Sequence, residues 1–354
     1  MKIKKDRIEW IDICKTIGII WVIMGHVIVP KSLDVWIHSF HMPLFFILSG
    51  LCFNEIKHTK ISEFFVSRFK TLIIPYIIFS IILYYVWIMV LQISNYEPIR
   101  NFNNLMTCMI KPATTTSCYG AVNWFLPSLF IVEIVFFIIC KVSKKSKKII
   151  GVVLFLIFIV AYLYPKFISY RIPFAIDSSI MGLFFYGLGW LFKSIPFDKI
   201  KIIIRKNLCL SLFIIILAFI LINPLIIINK MTNMRNLVFG NYSLFLINSV
   251  SVSLLFIFLS IYIDILSNKV KMFNVMKIIG NHTLVILLFN PIFARLYLLL
   301  TNNNEMIKNT YLLVFNNIIV SIIILIICVL ISIFINKFMP FLLGKKKKKN
   351  YFIY

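Results

Sequence analysis

Residues 208–228 read LCLSLFIIILAFILINPLIII, a run with no charged side chain and no strict apolar–polar alternation. In hydrocarbon a chain must satisfy its own backbone polar groups, so it crosses as a helix or as a closed barrel. At 1.5 Å per residue such a run matches the ~30 Å apolar layer of a bilayer as a helix. Comparable runs lie on both sides of it, near 11–30, 39–54, 72–94, 123–140, 149–164, 174–192, 241–263, 281–300 and 311–335. The sequence therefore predicts an all-α integral membrane protein, a single bundle of about ten transmembrane helices forming one domain over 1–354. Composition agrees: 61% of residues are hydrophobic and 14% charged, with a mean hydropathy of +0.97. A soluble domain carries about 25% charged residues.

The net charge of +25 invites a nucleic-acid reading, and its distribution argues against one. With the spans above, the termini and alternate loops on their side hold 27 of the 37 Lys and Arg residues, and the opposite loops hold 8. Such a bias follows the positive-inside rule and predicts both termini in the cytoplasm. The Lys345–Lys349 run is then a tail anchored at anionic lipid, and no nucleic-acid partner is expected. The basic start Met1–Arg7 resembles a signal peptide, but Asp12 and Lys15 interrupt the following run and no small-residue cleavage pattern closes it. It is read as the first retained span. No internal repeat of the transporter kind is visible. The inner segments 54–71 and 193–207 mix apolar with basic residues, a pattern suited to interfacial helices.

Polar groups inside spans are where function is sought in a membrane protein. Lys15 and His26 stand eleven residues apart in the first span, which returns them to within about 20° of one helix face, separated by a rise of about 16 Å. Asp12 is placed to pair with Lys15. A charge at the inner end and an imidazole deeper in describe a lined channel; a snorkelling lysine and a structural histidine fit the same pattern. His38 and His41 open the second span, with His41 as a wall or proton partner beside His26 and His38 interfacial. Three histidines at one level do not by themselves predict a metal site. Arg68 and Lys70 precede the third span, where they fix topology or meet a phosphate-rich ligand. Glu133 falls mid-span and is expected to face the bundle, paired or protonated. Asp177 lies near the outer end of the sixth span, and His282, Asn290 and Arg295 follow one another through the ninth. Of seven cysteines, Cys108 and Cys118 share the outer loop 95–122, where a disulfide and two free thiols fit equally well.

Several of these segments together resemble the acyltransferase-3 family of membrane O-acyltransferases, in particular its fucose-4-O-acetylase-like and surface-polysaccharide members. The resemblance rests on RIEWIDICKTIGIIWVIMGH at 7–26, FHMPLFFILSG at 40–50 and RFKTLIIPY at 68–76. NWFLP at 123–127, FAID at 174–177 and IGNHTL at 279–284 add weaker support. It implies transfer of an acyl group, usually acetyl, from cytoplasmic acyl-CoA to a sugar hydroxyl at a cell (inner or plasma) membrane. The family's basic residue, ten positions and histidine fall on Lys15 and His26, many members having arginine where this chain has Lys15. Arg68 and Lys70 fall on its basic pair before the third span. The resemblance thus implies acetyl-CoA held by Lys15, Arg68 and Lys70, with His26 as base or acyl carrier and His41 or Asp177 orienting the acceptor. The family's histidine in the ninth span is replaced by Asn290. The partners implied are acyl-CoA, a glycan or lipid-linked sugar acceptor and membrane lipid.

A transporter or flippase for lipid-linked sugar is the main alternative, since its basic groups would meet a pyrophosphate. It predicts translocation without acyl-CoA. A sugar polymerase predicts larger outer loops rich in Arg and His, and a non-catalytic relative predicts binding alone.

Overall fold

The structure is a computed structural model that describes residues 8–54, 60–93, 102–113, 123–267, 270, 273–301 and 310–345. Among them the chain forms α1 (Glu9–Met24), α2 (Lys31–His38), α3 (His41–Cys52), α4 (Ile61–Arg68), α5 (Ile74–Ile93), α6 (Phe102–Ile110), α7 (Phe125–Val142) and α8 (Lys147–Phe167). It continues through α9 (Ile176–Phe192), α10 (Phe197–Lys206), α11 (Leu208–Ile228), α12 (Tyr242–Ser267), α13 (Asn274–Gly280), α14 (Thr283–Leu300) and α15 (Thr310–Phe338). The protein is an all-α membrane protein: among the described residues nine helical stretches are long and apolar enough to cross a bilayer.

The expected first span, 11–30, is shorter than its hydropathy suggests. α1 stops at Met24 after 16 residues, about 24 Å of helix. Gly25 and His26 form a turn, with the His26 N–H donating to the Ile23 carbonyl at 3.0 Å. Val27, Ile28 and Val29 keep the hydropathy high, but Pro30 holds its neighbour extended and the helix cannot run through. The next crossing, Lys31–Cys52, is broken at Ser39–Phe40 into α2 and α3. The third begins eleven residues before the expected 72. α4 runs through a π-helical segment, Phe69–Ile73, directly into α5. Pro75 brings no N–H to the ladder at the first turn of α5, and the wider π turn just before it accommodates that gap. Thus α4 is the start of the spanning helix Ile61–Val90 rather than a separate interfacial element. The expected amphipathic inner helix at 193–207 is present as α10.

The chain groups into two compact units. The first takes 1–53, 185–287 and 306–323; the second takes 54–184, 288–305 and 324–354. In the first unit α1 is the central helix, packed on α3, α12 and α13, and most of its side chains are buried, Asp12 and Thr16 included. Without a hydrophobic drive between helices in lipid, close approach depends on small residues and on hydrogen bonds. Gly280 supplies the first: a Cβ there would overlap the Asp12 carbonyl oxygen. Gly50, the last residue of FHMPLFFILSG, does the same for α3, where a Cβ would strike the backbone at Tyr186. Thr16 Oγ1 donates to the Met276 carbonyl at 2.5 Å, and Ser249 Oγ to the Ser39 carbonyl at 2.6 Å. Trp36 gathers Trp21, Phe40, Phe219 and Phe256 edge-on around it. α11, the segment whose sequence decides the fold, presents nearly all its side chains outward, as a lipid-facing helix must.

In the second unit α4 and the π segment pack on α7, with Phe64 stacked on Phe137 at 4.5 Å between ring centres. Asn123 donates to Ser80 Oγ at 3.4 Å and Ser179 to Ser128 Oγ at 2.9 Å, both pairs buried. Cys108 is disulfide-bonded; Cys118, which shares the loop 95–122 with it in the sequence reading, lies outside the described residues, as does the lysine run beyond Lys345.

Candidate active site

One end of the first unit collects imidazoles. His26 sits in the turn after α1, and its Nδ1 lies 2.6 Å from the Val22 carbonyl. His41, buried at the start of α3, places Nδ1 2.7 Å from the Ile37 carbonyl. A carbonyl only accepts, so each Nδ1 carries the proton and donates, and the lone pair of each neutral ring is on Nε2. The helix ends explain why these rings are so fixed. A helix leaves its last carbonyls without intrahelical partners, and a histidine four residues on folds back to satisfy one. His38 repeats the device on α2, with Nδ1 2.9 Å from the Asp34 carbonyl and 3.1 Å from Asp34 Oδ1. Its ring meets that of His41 edge to face, 4.9 Å between centres.

The other end of the same unit is ionic. Lys15 Nζ stands 3.6 Å from Asp12 Oδ1, as their spacing predicts. Beside them Asp264, at the end of α12, accepts from Lys201 of α10 at 2.5 Å and from Lys277 of α13 at 3.0 Å, and Lys277 also reaches Glu9 at 2.5 Å. His282 lies in the turn between α13 and α14, its N–H donating to the Ile279 carbonyl at 2.8 Å.

In the second unit Arg68 Nε is 3.1 Å from Glu133 Oε2, and its guanidinium also lies 5.1 Å from the centre of the Phe64 ring. Glu133 thus faces its own unit and is paired, as a carboxylate in a span requires. Because α4 starts at 61, Arg68 is part of the spanning helix rather than a residue preceding it. Lys70, two residues on in the π segment, is exposed. Asp177 is buried and committed. Arg171 grips both of its oxygens, and the N–H groups of Ile172 and Ser178 donate to it at 3.3 and 2.7 Å. Asn290 is fully buried in α14.

The structure therefore brings together His26, His38 and His41 at one end of the first unit, with Lys15 at the other end of α1. Arg68, Lys70 and Asp177 belong to the second unit. Sequence reasoning did not single out Asp34, although its i, i+4 spacing to His38 was visible. It also did not reach the Glu9–Lys277–Asp264–Lys201 network, which joins four separate helices. Among the described residues no group of three or more His, Cys, Asp or Glu side chains is arranged to hold a metal ion.

The first unit thus holds imidazoles tied to backbone carbonyls at one end of α1 and ion-paired lysines at the other. The family described as the acyltransferase domain, acyltransferase-3, matches residues 8–337, and the chain belongs to that family. No curated protein and no solved structure matches it. The protein is a multi-pass membrane acyltransferase.

Proposed function

We propose that this acyltransferase moves an acetyl group from cytoplasmic acetyl-CoA to a hydroxyl of a cell-surface or secreted glycan, working in the plasma (inner) membrane of a bacterial cell. The observation that carries the reading is the fixed tautomer of His26. Its Nδ1 is held by the Val22 carbonyl, so the lone pair sits on Nε2. A sugar hydroxyl is a weak nucleophile near neutral pH and needs such a base. In the step proposed, Nε2 of His26 takes the hydroxyl proton while the oxygen bonds to the acyl carbon. The carbon–sulfur bond then breaks, and the imidazolium returns the proton to the departing CoA sulfur. His41, held in the same tautomer, lines the acceptor side. Lys15 is assigned to the CoA phosphates, and the resemblance adds Arg68 and Lys70 to that role. Asp177, its carboxylate tied to Arg171 and to the start of α9, orients rather than exchanges protons.

The test incubates purified protein with labelled acetyl-CoA and a crude surface glycan. Label in the glycan is expected from the wild type and absent from His26→Ala protein that inserts normally. Retained transfer by that variant overturns the assignment of His26. Sugar movement across vesicles without acetyl-CoA, and without labelling, overturns the acetyl-transfer reading in favour of a flippase.

A further inference from the structure

Asp34 and His38 are left without a role by this mechanism, yet they are built as a unit. They are four residues apart on α2 and therefore on one helix face. The carboxylate oxygen is 3.1 Å from His38 Nδ1, whose one N–H is shared with the Asp34 carbonyl at 2.9 Å. The His38 ring meets His41 edge to face. Exposure rises along the row: His41 is 8% exposed, and the side chains of His38 and Asp34 are 24% and 42% exposed. The Asp34–His38 pair is therefore less enclosed by protein than the His41 imidazole.

We infer that Asp34 and His38 are positioning residues: an ion-pair couple that holds an imidazolium beside His41 and His26 and so keeps both in the neutral, proton-accepting form. The inference rests on the proposed role of His26. A carboxylate at hydrogen-bond distance favours a charged ring, and a charged ring disfavours a second positive charge nearby. The groups that face these rings are Asp34 on α2, His26 in the turn after α1, His41 on α3, and Arg235 in the connection between α11 and α12, within electrostatic reach of His26. Arg235 is cationic at every working pH, so the His38–Asp34 pair is the part of this surrounding that titrates or is altered by neutral substitution.

Three variants, H38Q, D34N and D34E, separate charge control from mere packing. H38Q leaves the Asp34 carboxylate uncompensated, so the remaining imidazoles are expected to protonate more readily. The acidic limb of the pH–rate profile should then move upward by about one pH unit. D34N removes both the carboxylate and its hold on the His38 charge, and a smaller upward move is expected. D34E, which restores the carboxylate on a partly exposed side chain, should return the limb to its wild-type position. The assay is transfer of labelled acetyl from acetyl-CoA to crude surface glycan across the pH range, with thermal unfolding followed in parallel. A lower rate with an unmoved acidic limb in both H38Q and D34N shows a packing role and overturns the inference. A moved limb in D34N that D34E fails to restore overturns it as well. Should H38Q not fold, the D34N and D34E profiles decide alone. Absence of transfer by the wild type itself, in contrast, removes the functional reading on which the couple depends.

Discussion

At the Glu9 end of the first unit, the carboxylates of Glu9, Asp12 and Asp264 are each matched by an ammonium, from Lys277, Lys15 and Lys201. At the His26 end, one carboxylate is matched to His38, and the other two imidazoles are tied to backbone carbonyls instead. The same helix, α1, carries both ends. The difference teaches where this unit invests its polarity. The Glu9–Lys277–Asp264–Lys201 network fastens the Glu9 end of α1 to α10, α12 and α13, and its charges are matched within it. Carbonyl-bound histidines use only one ring nitrogen for structure and keep the second for chemistry. Fastening and reacting are therefore separable by mutation.

The largest expected effect lies at the reacting end. His26→Ala should lower acetyl transfer by about 10²–10⁴-fold, the usual contribution of a positioned general base. The melting temperature in detergent should stay within a degree or two of wild type, because His26 ends no buried ion pair. A large loss of both activity and stability would show that the two ends are not separable.

The fastening end should answer in the opposite way. Asp264 is 3% exposed and serves two lysines that are themselves only partly exposed. Asp264→Ala leaves both ammoniums without that carboxylate and should cost about 2–3 kcal/mol, less than a fully enclosed pair because the lysines retain some water. Thermal unfolding measures it, and transfer per folded molecule should fall far less than in His26→Ala. Gly280→Ala tests the same contact through packing. Its Cβ would overlap the Asp12 carbonyl oxygen and push α13 from α1, at a cost of about 1–2 kcal/mol. An unchanged melting temperature in that variant would mean that α13 yields freely.

The helices were legible in the sequence because span length and apolar content are local properties, as in 208–228. The ends of the helices were less so. Val27–Val29 continue the hydropathy of α1 past its true end at Met24, and the charges of 61–68 hide a helix that already belongs to the third crossing. At the site, Lys15, Asp12 and His26 could be related by counting along one helix, and Asp34–His38 could have been. The pairing of Lys201 with Asp264 spans 63 residues, and that of Arg68 with Glu133 joins α4 to α7. Such pairs are chosen by helix packing, and no spacing rule within one segment reaches them.

The smallest effect expected is at Glu9, and it sharpens the comparison by showing how burial grades the fastening. Lys277 is bonded to both Glu9 and Asp264, but the Glu9 side chain is 57% exposed and that of Asp264 only 3%. Burial opposes the charge on Lys277, yet the hydrogen bonds to Glu9 and Asp264 outweigh it and hold the ammonium above the ordinary lysine range. A raised folded value means that the stabilisation is fully present at neutral pH and is lost only as pH climbs through the alkaline range in which Lys277 gives up its proton. Glu9→Gln should therefore cost under about 1 kcal/mol at neutral pH, the scale of an exposed pair. Because that contact faces water, the difference between Glu9→Gln and wild type should shrink as salt is raised. The Asp264→Ala deficit, set in a buried position, should persist at the same salt. Equal salt sensitivity of the two deficits, read from melting temperatures at low and high ionic strength, would place Asp264 at the surface in practice and remove the distinction between its contact with Lys277 and that of Glu9.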